Sequence, residues 1–118
     1  MVPFLVDSGS LFSALNEKEA VLMGLDCPSL PDSKQETVGF GGTFKTKVIN
    51  RLVFLTFKYG NDKYKMRYSQ GLRVVYIPPH VGRNEREKLM RYTPSVLGMD
   101  VLTKFKVYMD KHKIVLTI

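Results

Sequence analysis

The 118-residue sequence predicts an all-β fold with two short helices, and three observations support this expectation. A hydrophobic share of 44% is enough for one modest core, and a chain of this length holds one domain. The apolar segments are short, rich in valine and phenylalanine, and separated by glycine or proline, as is typical of strands and turns. Only two segments have a helical pattern. We therefore expect residues 1–118 to form a single, mostly β domain.

The order of the elements follows from local signals. The first helix, at residues 17–23, has Asn16 as its N-cap and Gly24 as its left-handed stop. The second helix, at residues 85–91, cannot continue through Pro94. The remaining segments are predicted as a strand at 2–6, hairpins at 37–48, 51–69 and 105–118, strands at 72–77 and 95–98, and a helical turn at 99–102.

Charge and leader signals restrict the partners and the location. The net charge of +7 is compatible with anionic partners, but we interpret the basic residues from Lys45 to Lys113 as scattered and not clustered with stacking aromatics. We therefore expect the charge to serve solubility, and nucleic acid to be an unlikely partner.

No apolar run reaches the roughly 20 residues of a membrane span. The opening residues lack the basic segment of a signal peptide, and a single cysteine cannot form an internal disulfide, which together favour a cytoplasmic location.

One segment carries a pattern with chemical meaning, Phe4-Leu5-Val6-Asp7-Ser8-Gly9-Ser10. A carboxylate at the end of a buried strand is held rigidly, a glycine lets another backbone approach closely, and serine hydroxyls can hydrogen-bond nearby. The alternative interpretation is an ordinary Asx turn that follows a strand. The tetrapeptide from Asp7 to Ser10 does not decide between the two.

Together with two further motifs, this segment resembles the retroviral-type aspartic peptidases (retropepsins) and their cellular and prokaryotic relatives. In that family a strand delivers Asp-Thr/Ser-Gly, a glycine-rich hairpin forms a flap, and an apolar pair ending in glycine precedes a short helix and a terminal strand. The matching segments occur here in the same order: Leu5-Val6-Asp7-Ser8-Gly9-Ser10, Val38-Gly39-Phe40-Gly41-Gly42 and Val96-Leu97-Gly98-Met99-Asp100-Val101-Leu102. Met99 stands where viral members often have arginine, so the chain looks closer to the prokaryotic or cellular relatives.

The resemblance implies a single-lobe, closed β-barrel that is active as a symmetric homodimer, because one chain supplies one catalytic aspartate and the reaction needs two. It implies an aspartic endopeptidase that hydrolyses peptide or protein substrates with an activated water. We expect no cofactor and no metal, since His80, His112 and Cys27 have no metal-ligand spacing. The implied site comprises catalytic Asp7, the turn residues Ser8, Gly9 and Ser10, the flap residues Gly39, Phe40, Gly41 and Gly42, and the supporting residues Val96, Leu97 and Gly98.

The resemblance also implies roles for single residues. Ser8 would tie the two active-site turns together across the dimer. A hydroxyl at Ser10 could donate to the Asp7 carboxylate and favour its charged form, which predicts an acidic optimum. Leu5, Phe40 and Val96 would line an apolar cleft.

One departure keeps a second interpretation open. Only six residues precede Asp7, so the N-terminal strand of the family is missing or short here. The alternative function is a catalytically silent retropepsin-like module used for dimerisation or peptide binding.

Overall fold

The computed structural model describes residues 2–34, 37–39, 42–44, 46–68, 71–77, 80–109 and 114–117. Its helices are α1 (Glu17–Leu22), α2 (Arg83–Tyr92) and α3 (Met99–Leu102), with a single 3-10 turn at Cys27–Ser29. Its strands are β1 (Phe4–Val6), β2 (Ala14–Asn16), β3 (Thr37–Gly39), β4 (Gly42–Phe44), β5 (Thr46–Val48), β6 (Val53–Tyr59), β7 (Asp62–Tyr68), β8 (Arg73–Val75), β9 (Ser95–Leu97), β10 (Lys106–Met109) and β11 (Ile114–Thr117).

Five of the strands form a mixed sheet in the order β1-β9-β2-β8-β5. Strand β9 is parallel to β1, with Leu5 opposite Val96, and antiparallel to β2, with Ala14 opposite the same Val96. Strand β8 is parallel to β2 and antiparallel to β5. Strand β9 comes late in the chain but lies between β1 and β2, which are neighbours in sequence. Strand β9 and the residues after it therefore hold the loop that joins β1 to β2.

The prediction of an all-β closed barrel is wrong. The described residues form a mixed α/β structure with one open five-stranded sheet, two parallel strand pairs and three helices. The other described strands form three separate hairpins, β3–β4, β6–β7 and β10–β11, and no sheet closes on itself within the described ranges. Each strand of the sheet is only three residues long, so each pair of strands forms few of the backbone hydrogen bonds that closing a barrel would need.

The local predictions fared better than the global one. The Asn16 side chain accepts a hydrogen bond from the Glu19 amide at 2.8 Å, and Gly24 has φ +81°, so the start and stop of α1 are confirmed. The second helix, the β6–β7 hairpin and the β10–β11 hairpin are also confirmed. The predicted hairpin at 37–48 is confirmed only in part, because β3 pairs with β4 while β5 joins the large sheet.

An ion pair with a buried carboxylate links α1 and α2 and fixes both to the segment that follows β8. Glu17, which is 3% exposed, accepts a hydrogen bond from the Ile77 amide at 3.1 Å and contacts the Arg86 guanidinium. Arg86 also donates to the Ile77 carbonyl at 2.6 Å. In the described part of the chain no helix is long and apolar enough to cross a bilayer.

One apolar core joins the sheet, α1, α3 and the β6–β7 hairpin. Leu15, Leu72, Val74 and Val101 are among its fully buried side chains. The inward side of the hairpin reaches this core through contacts of the Phe105 ring with Phe57 and Tyr64, whose centroids lie 5.3 and 5.7 Å away in edge-to-face geometry. The hairpin therefore has one packed side and one outward side.

Candidate active site at the Asp7 turn

Asp7 begins a tight turn at the end of β1, and its own backbone holds it there. The Asp7 amide donates to the Leu97 carbonyl at 3.0 Å, which extends the β1–β9 ladder by one residue. The Ser10 amide donates to the Asp7 carbonyl at 3.2 Å and closes the turn. The Gly9 amide donates to Asp7 Oδ1 at 2.9 Å, which is the side-chain contact of an Asx turn, as the alternative interpretation of this segment expected. The same bond orients one carboxylate oxygen of Asp7. We call residues 7–10 the Asp7 turn.

The segment that follows β9 packs directly against the Asp7 turn. The Met99 amide donates to the Ser10 carbonyl at 2.8 Å, and the Asp100 amide donates to the Leu11 carbonyl at 3.2 Å. A Cβ placed on Gly98 would lie 2.7 Å from the Phe12 carbonyl oxygen and 2.8 Å from that of Ser10. Only glycine fits this contact. The structure therefore brings Leu97 and Gly98 against the Asp7 turn, and Val96 lies opposite Leu5 just before it, although these parts of the chain are far apart in sequence.

Beneath the turn lies a polar cluster that sequence reasoning missed. It consists of Ser13, Tyr68 and Asp100, and we call it the Asp100 cluster. Ser13 donates to Asp100 twice, from its hydroxyl at 2.6 Å and from its amide at 3.0 Å. The Tyr68 hydroxyl also donates to Asp100, and the Val101 amide donates to it at 2.8 Å. The Ser13 hydroxyl in turn accepts from the Gly98 amide at 2.9 Å.

This arrangement makes Asp100 a structural acceptor. Each of its carboxylate oxygens accepts two hydrogen bonds, which compensates for partial burial of the charge. Burial raises the pKa of the Tyr68 hydroxyl, and its hydrogen bond to the Asp100 carboxylate raises that pKa further, so Tyr68 stays a donor. The Asp100 cluster therefore ties the start of β2 and the end of β7 to the base of the Asp7 turn.

A cation on β8 supports the same loop from the other side. The Arg73 guanidinium carbon lies 3.7 Å from the centroid of the Phe12 ring, and Arg73 is 8% exposed. Phe12 is two residues beyond the Asp7 turn. The loop between β1 and β2 is thus restrained along its length.

The two serines of the turn differ in their surroundings. Ser8 is exposed at the tip, beside exposed Gly9. Ser10 is half-buried, and its hydroxyl donates to the Phe12 carbonyl at 2.8 Å. A hydroxyl has one proton to donate, so here Ser10 stabilises the loop instead of donating to the Asp7 carboxylate as we expected from the sequence.

The structure describes two of the three apolar residues predicted to line a cleft, Leu5 and Val96. Leu5 and Val96 lie directly opposite each other on paired strands and therefore share a face, and Leu5 is 44% exposed there. The segment predicted to form a flap contains the β3–β4 hairpin, in which Gly39 pairs with Gly42. Phe40 and Gly41, at its expected tip, lie outside the described residues.

An apolar cavity of about 400 Å³ lies on the opposite side of β1, and Asp7 does not line it. Phe4, Leu15 and Leu97 form its sheet side, and the β6 strand forms its other side. This cavity belongs to the space between the sheet and the hairpin. We assign it no part in chemistry at Asp7.

The other residues singled out from the sequence take no part in the site. Cys27 is fully buried, and burial raises the pKa of its thiol, which disfavours the reactive thiolate. His80 is exposed, and His112 lies outside the described residues. Among the described side chains no group of three or more His, Cys, Asp and Glu could hold a metal ion.

The sequence contained little to reveal the Asp100 cluster. Asp100 lies in a quoted motif, but Ser13 and Tyr68 belong to no local pattern, and only the sheet topology brings them together. Comparisons of the chain with protein-family models, with curated proteins and with solved structures found no match.

Proposed function

We propose that the chain is one half of a homodimeric aspartic endopeptidase, in which Asp7 of each copy supplies one catalytic carboxylate. The single observation that supports this most directly is the restraint of the Asp7 turn. Three backbone amides, those of Asp7, Gly9 and Ser10, fix the turn, and one of them orients the carboxylate itself. The glycine that lies beneath the turn, Gly98, belongs to the third segment of the resemblance, Val96 to Leu102.

The need for a second chain follows from the carboxylates. Water-activating catalysis of this type uses two facing carboxylates that share a proton. The other aspartate beside the turn, Asp100, already accepts four hydrogen bonds and is committed to holding the loop. A two-fold axis that brings two Asp7 turns together supplies the missing carboxylate, and exposure of Ser8 and Gly9 leaves the tip of the turn accessible to a second copy.

The reaction then follows from the pair. Two carboxylates held close together do not both ionise easily, so the pair carries one proton over a range of pH. The ionised member takes a proton from a water held between the two, and that water attacks the carbonyl carbon of the peptide. The protonated member donates a hydrogen bond to the oxygen as negative charge develops on it. The carboxyl group that took the proton from the water then gives it to the amide nitrogen, and the carbon–nitrogen bond breaks to release an amine and a carboxylic acid.

The surroundings of Asp7 favour a substrate with apolar side chains next to the cleaved bond. Leu5 and Val96 form an apolar pair on one face of the sheet, directly before the turn. Alternation along β1, which the ladder extends to Asp7, puts the carboxylate on the same side as Leu5. An extended peptide lying across this face would meet apolar side chains before it reached the carboxylate.

Cleavage of a peptide library by the purified chain tests the proposal, over roughly pH 3.5 to 7.5, the range in which a carboxylate pair changes charge. The comparison variants are Asp7→Asn and Asp26→Asn, the second of which alters an exposed aspartate that makes no side-chain cap contact. We expect cleavage by the parent chain and by Asp26→Asn, and at least a hundredfold loss in Asp7→Asn, a loss typical of removing an acid–base group.

The assay is run at concentrations at which sedimentation shows a dimer. Absence of cleavage by a dimeric, folded parent chain would overturn the enzymatic proposal and favour the silent peptide-binding module. Equal cleavage by the parent and Asp7→Asn would remove Asp7 from the chemistry.

A further inference from the structure

The outward side of the β6–β7 hairpin concentrates positive charge. Alternation sends Val53, Leu55, Phe57, Tyr64, Met66 and Tyr68 inward, and it leaves six residues on the outer side. We call this set the basic face; its members are Phe54, Thr56, Lys58, Lys63, Lys65 and Arg67. All six are exposed, four are cationic, and none is acidic. These four cations lie within ten consecutive residues, 58–67, and the fold places all of them on one side of the hairpin.

The strand register places like charges against each other. Lys58 lies directly opposite Lys63, and Lys65 is one pair further along the same face. Like charges that face each other across a two-stranded ladder destabilise it. Among the described residues, neither Lys58 nor Lys63 forms an ion pair with a carboxylate. A bound anion would relieve this repulsion.

An aromatic ring lies within the same face. Phe54 is 46% exposed on the outer side and lies opposite Arg67. The Lys65 ammonium is 4.4 Å from the centroid of the Phe54 ring. Cations that surround an exposed ring are the combination with which proteins hold the phosphates and stack the bases of single-stranded nucleic acid.

We propose that the basic face binds single-stranded nucleic acid, with its four cations on phosphates and Phe54 stacked on a base. The ring distinguishes this ligand from other anionic partners. A duplex keeps its base faces covered, and the headgroups of an anionic membrane offer no ring to stack on. The proposal concerns a surface separate from the Asp7 turn and does not depend on peptidase activity.

Fluorescence anisotropy with a labelled oligothymidylate of about ten nucleotides, within the site sizes known for single strands, tests the proposal. Four phosphate contacts predict a slope of log affinity against log salt of about −3, or about a 50-fold loss of affinity between 50 and 200 mM salt. The variant Lys63→Gln/Lys65→Gln should lower the magnitude of the slope by about 1.4. The variant Phe54→Leu should weaken binding at least fivefold while the slope stays unchanged.

The matched control is Lys88→Gln/Arg91→Gln, which removes the same charge from the exposed side of α2. It should bind as the parent chain does. If the control loses as much affinity as Lys63→Gln/Lys65→Gln, net charge and not the basic face drives binding, and the proposal fails. It also fails if the parent chain does not bind the oligonucleotide, or if it binds a duplex of equal length or phosphatidylserine vesicles at least as well. Circular dichroism of each variant verifies that the chain is folded.

Discussion

Polar groups are held in opposite ways at the Asp7 turn and on the basic face. Around the turn, donors and acceptors are matched one by one: Asp100 accepts four hydrogen bonds, and the Ser13 hydroxyl both donates and accepts. On the basic face, Lys58 and Lys63 face each other and no carboxylate shares the surface. The polar groups of the Asp100 cluster are satisfied within one chain, whereas the basic face leaves its charges for a partner.

This difference predicts where substitutions cost stability. Changes beneath the turn should lower the free energy of unfolding, because each group there is packed against or hydrogen-bonded to another. Changes on the basic face should leave the fold intact or stabilise it, and they should alter binding instead. Four substitutions, from the largest expected effect to the smallest, test the comparison.

Gly98→Ala should have the largest effect. The added Cβ would lie 2.7 to 2.8 Å from backbone atoms of Phe12 and Ser10, which cannot move aside without distorting the Asp7 turn. We expect a loss of about 3 kcal/mol or more in the free energy of unfolding, measured by urea denaturation. Gly82→Ala is the control, because nothing lies within 4 Å of its added Cβ, and it should cost less than about 1 kcal/mol. Equal losses in both variants would contradict the close packing of the turn on Gly98.

The part played by Gly98 illustrates what the sequence could and could not predict. The segment Val96-Leu97-Gly98 was expected beneath the Asp7 turn because of a resemblance in motif order. The caps of α1 and the hairpin turns were predictable from local signals, since a cap or a tight turn is decided by a few adjacent residues. The direction of strand pairing depends on contacts between distant segments, such as β1 with β9, and the closed barrel was wrong for that reason.

The same reasoning explains why the basic face and the Asp100 cluster were missed. The β6–β7 hairpin was predicted but its register was not, and that register places Lys58 opposite Lys63 and all four cations on one side. Tyr68 meets Asp100 because β7 ends above α3, which no local pattern indicates. Side chains that act together across strands become visible only when the register is known.

Asp100→Asn should have the second largest effect. The amide would replace one acceptor oxygen with a donor, and at least one of the four groups that now donate to Asp100 would lose its partner. We expect a loss of about 2 to 3 kcal/mol in the free energy of unfolding, which urea denaturation measures. Asp26→Asn, at an exposed position, should change it by less than about 0.5 kcal/mol. A loss no larger than in this control would mean that Asp100 does not hold the loop.

Tyr68 should make stability depend on alkaline pH. Its hydroxyl is protonated in both folded and unfolded chains below about pH 10, the ordinary tyrosine pKa. Above that pH the unfolded chain releases the proton first, because burial and the Asp100 carboxylate raise the pKa of the folded Tyr68. Folding stability contributed by Tyr68 therefore falls with rising pH, by up to about 1.4 kcal/mol per pH unit.

Tyr68→Phe removes this contribution and tests it. Urea denaturation between about pH 9 and 11 should show a shallower fall in stability for Tyr68→Phe than for the parent chain. The control is Tyr92→Phe, at a residue that is 74% exposed, and it should follow the parent chain. If stability fell equally with pH in Tyr68→Phe and in the parent chain, the Tyr68 hydroxyl would not be the cause of the pH dependence.

Lys63→Glu should have the smallest effect, and it should have the opposite sign. It replaces the repulsion between Lys58 and Lys63 with an attraction between directly opposed residues, so we expect stability to rise by about 0.5 kcal/mol. The control Lys34→Glu makes the same change in net charge at an exposed loop position away from the hairpin. Thermal unfolding at low and high salt measures the difference between the two variants, which salt should reduce because exposed charges are screened. A Lys63→Glu variant no more stable than Lys34→Glu would mean that the charges on the basic face do not strain the hairpin. If Lys63→Glu is more stable but no longer binds the oligonucleotide, the charges that bind the anion are the same charges that lower the stability of the hairpin.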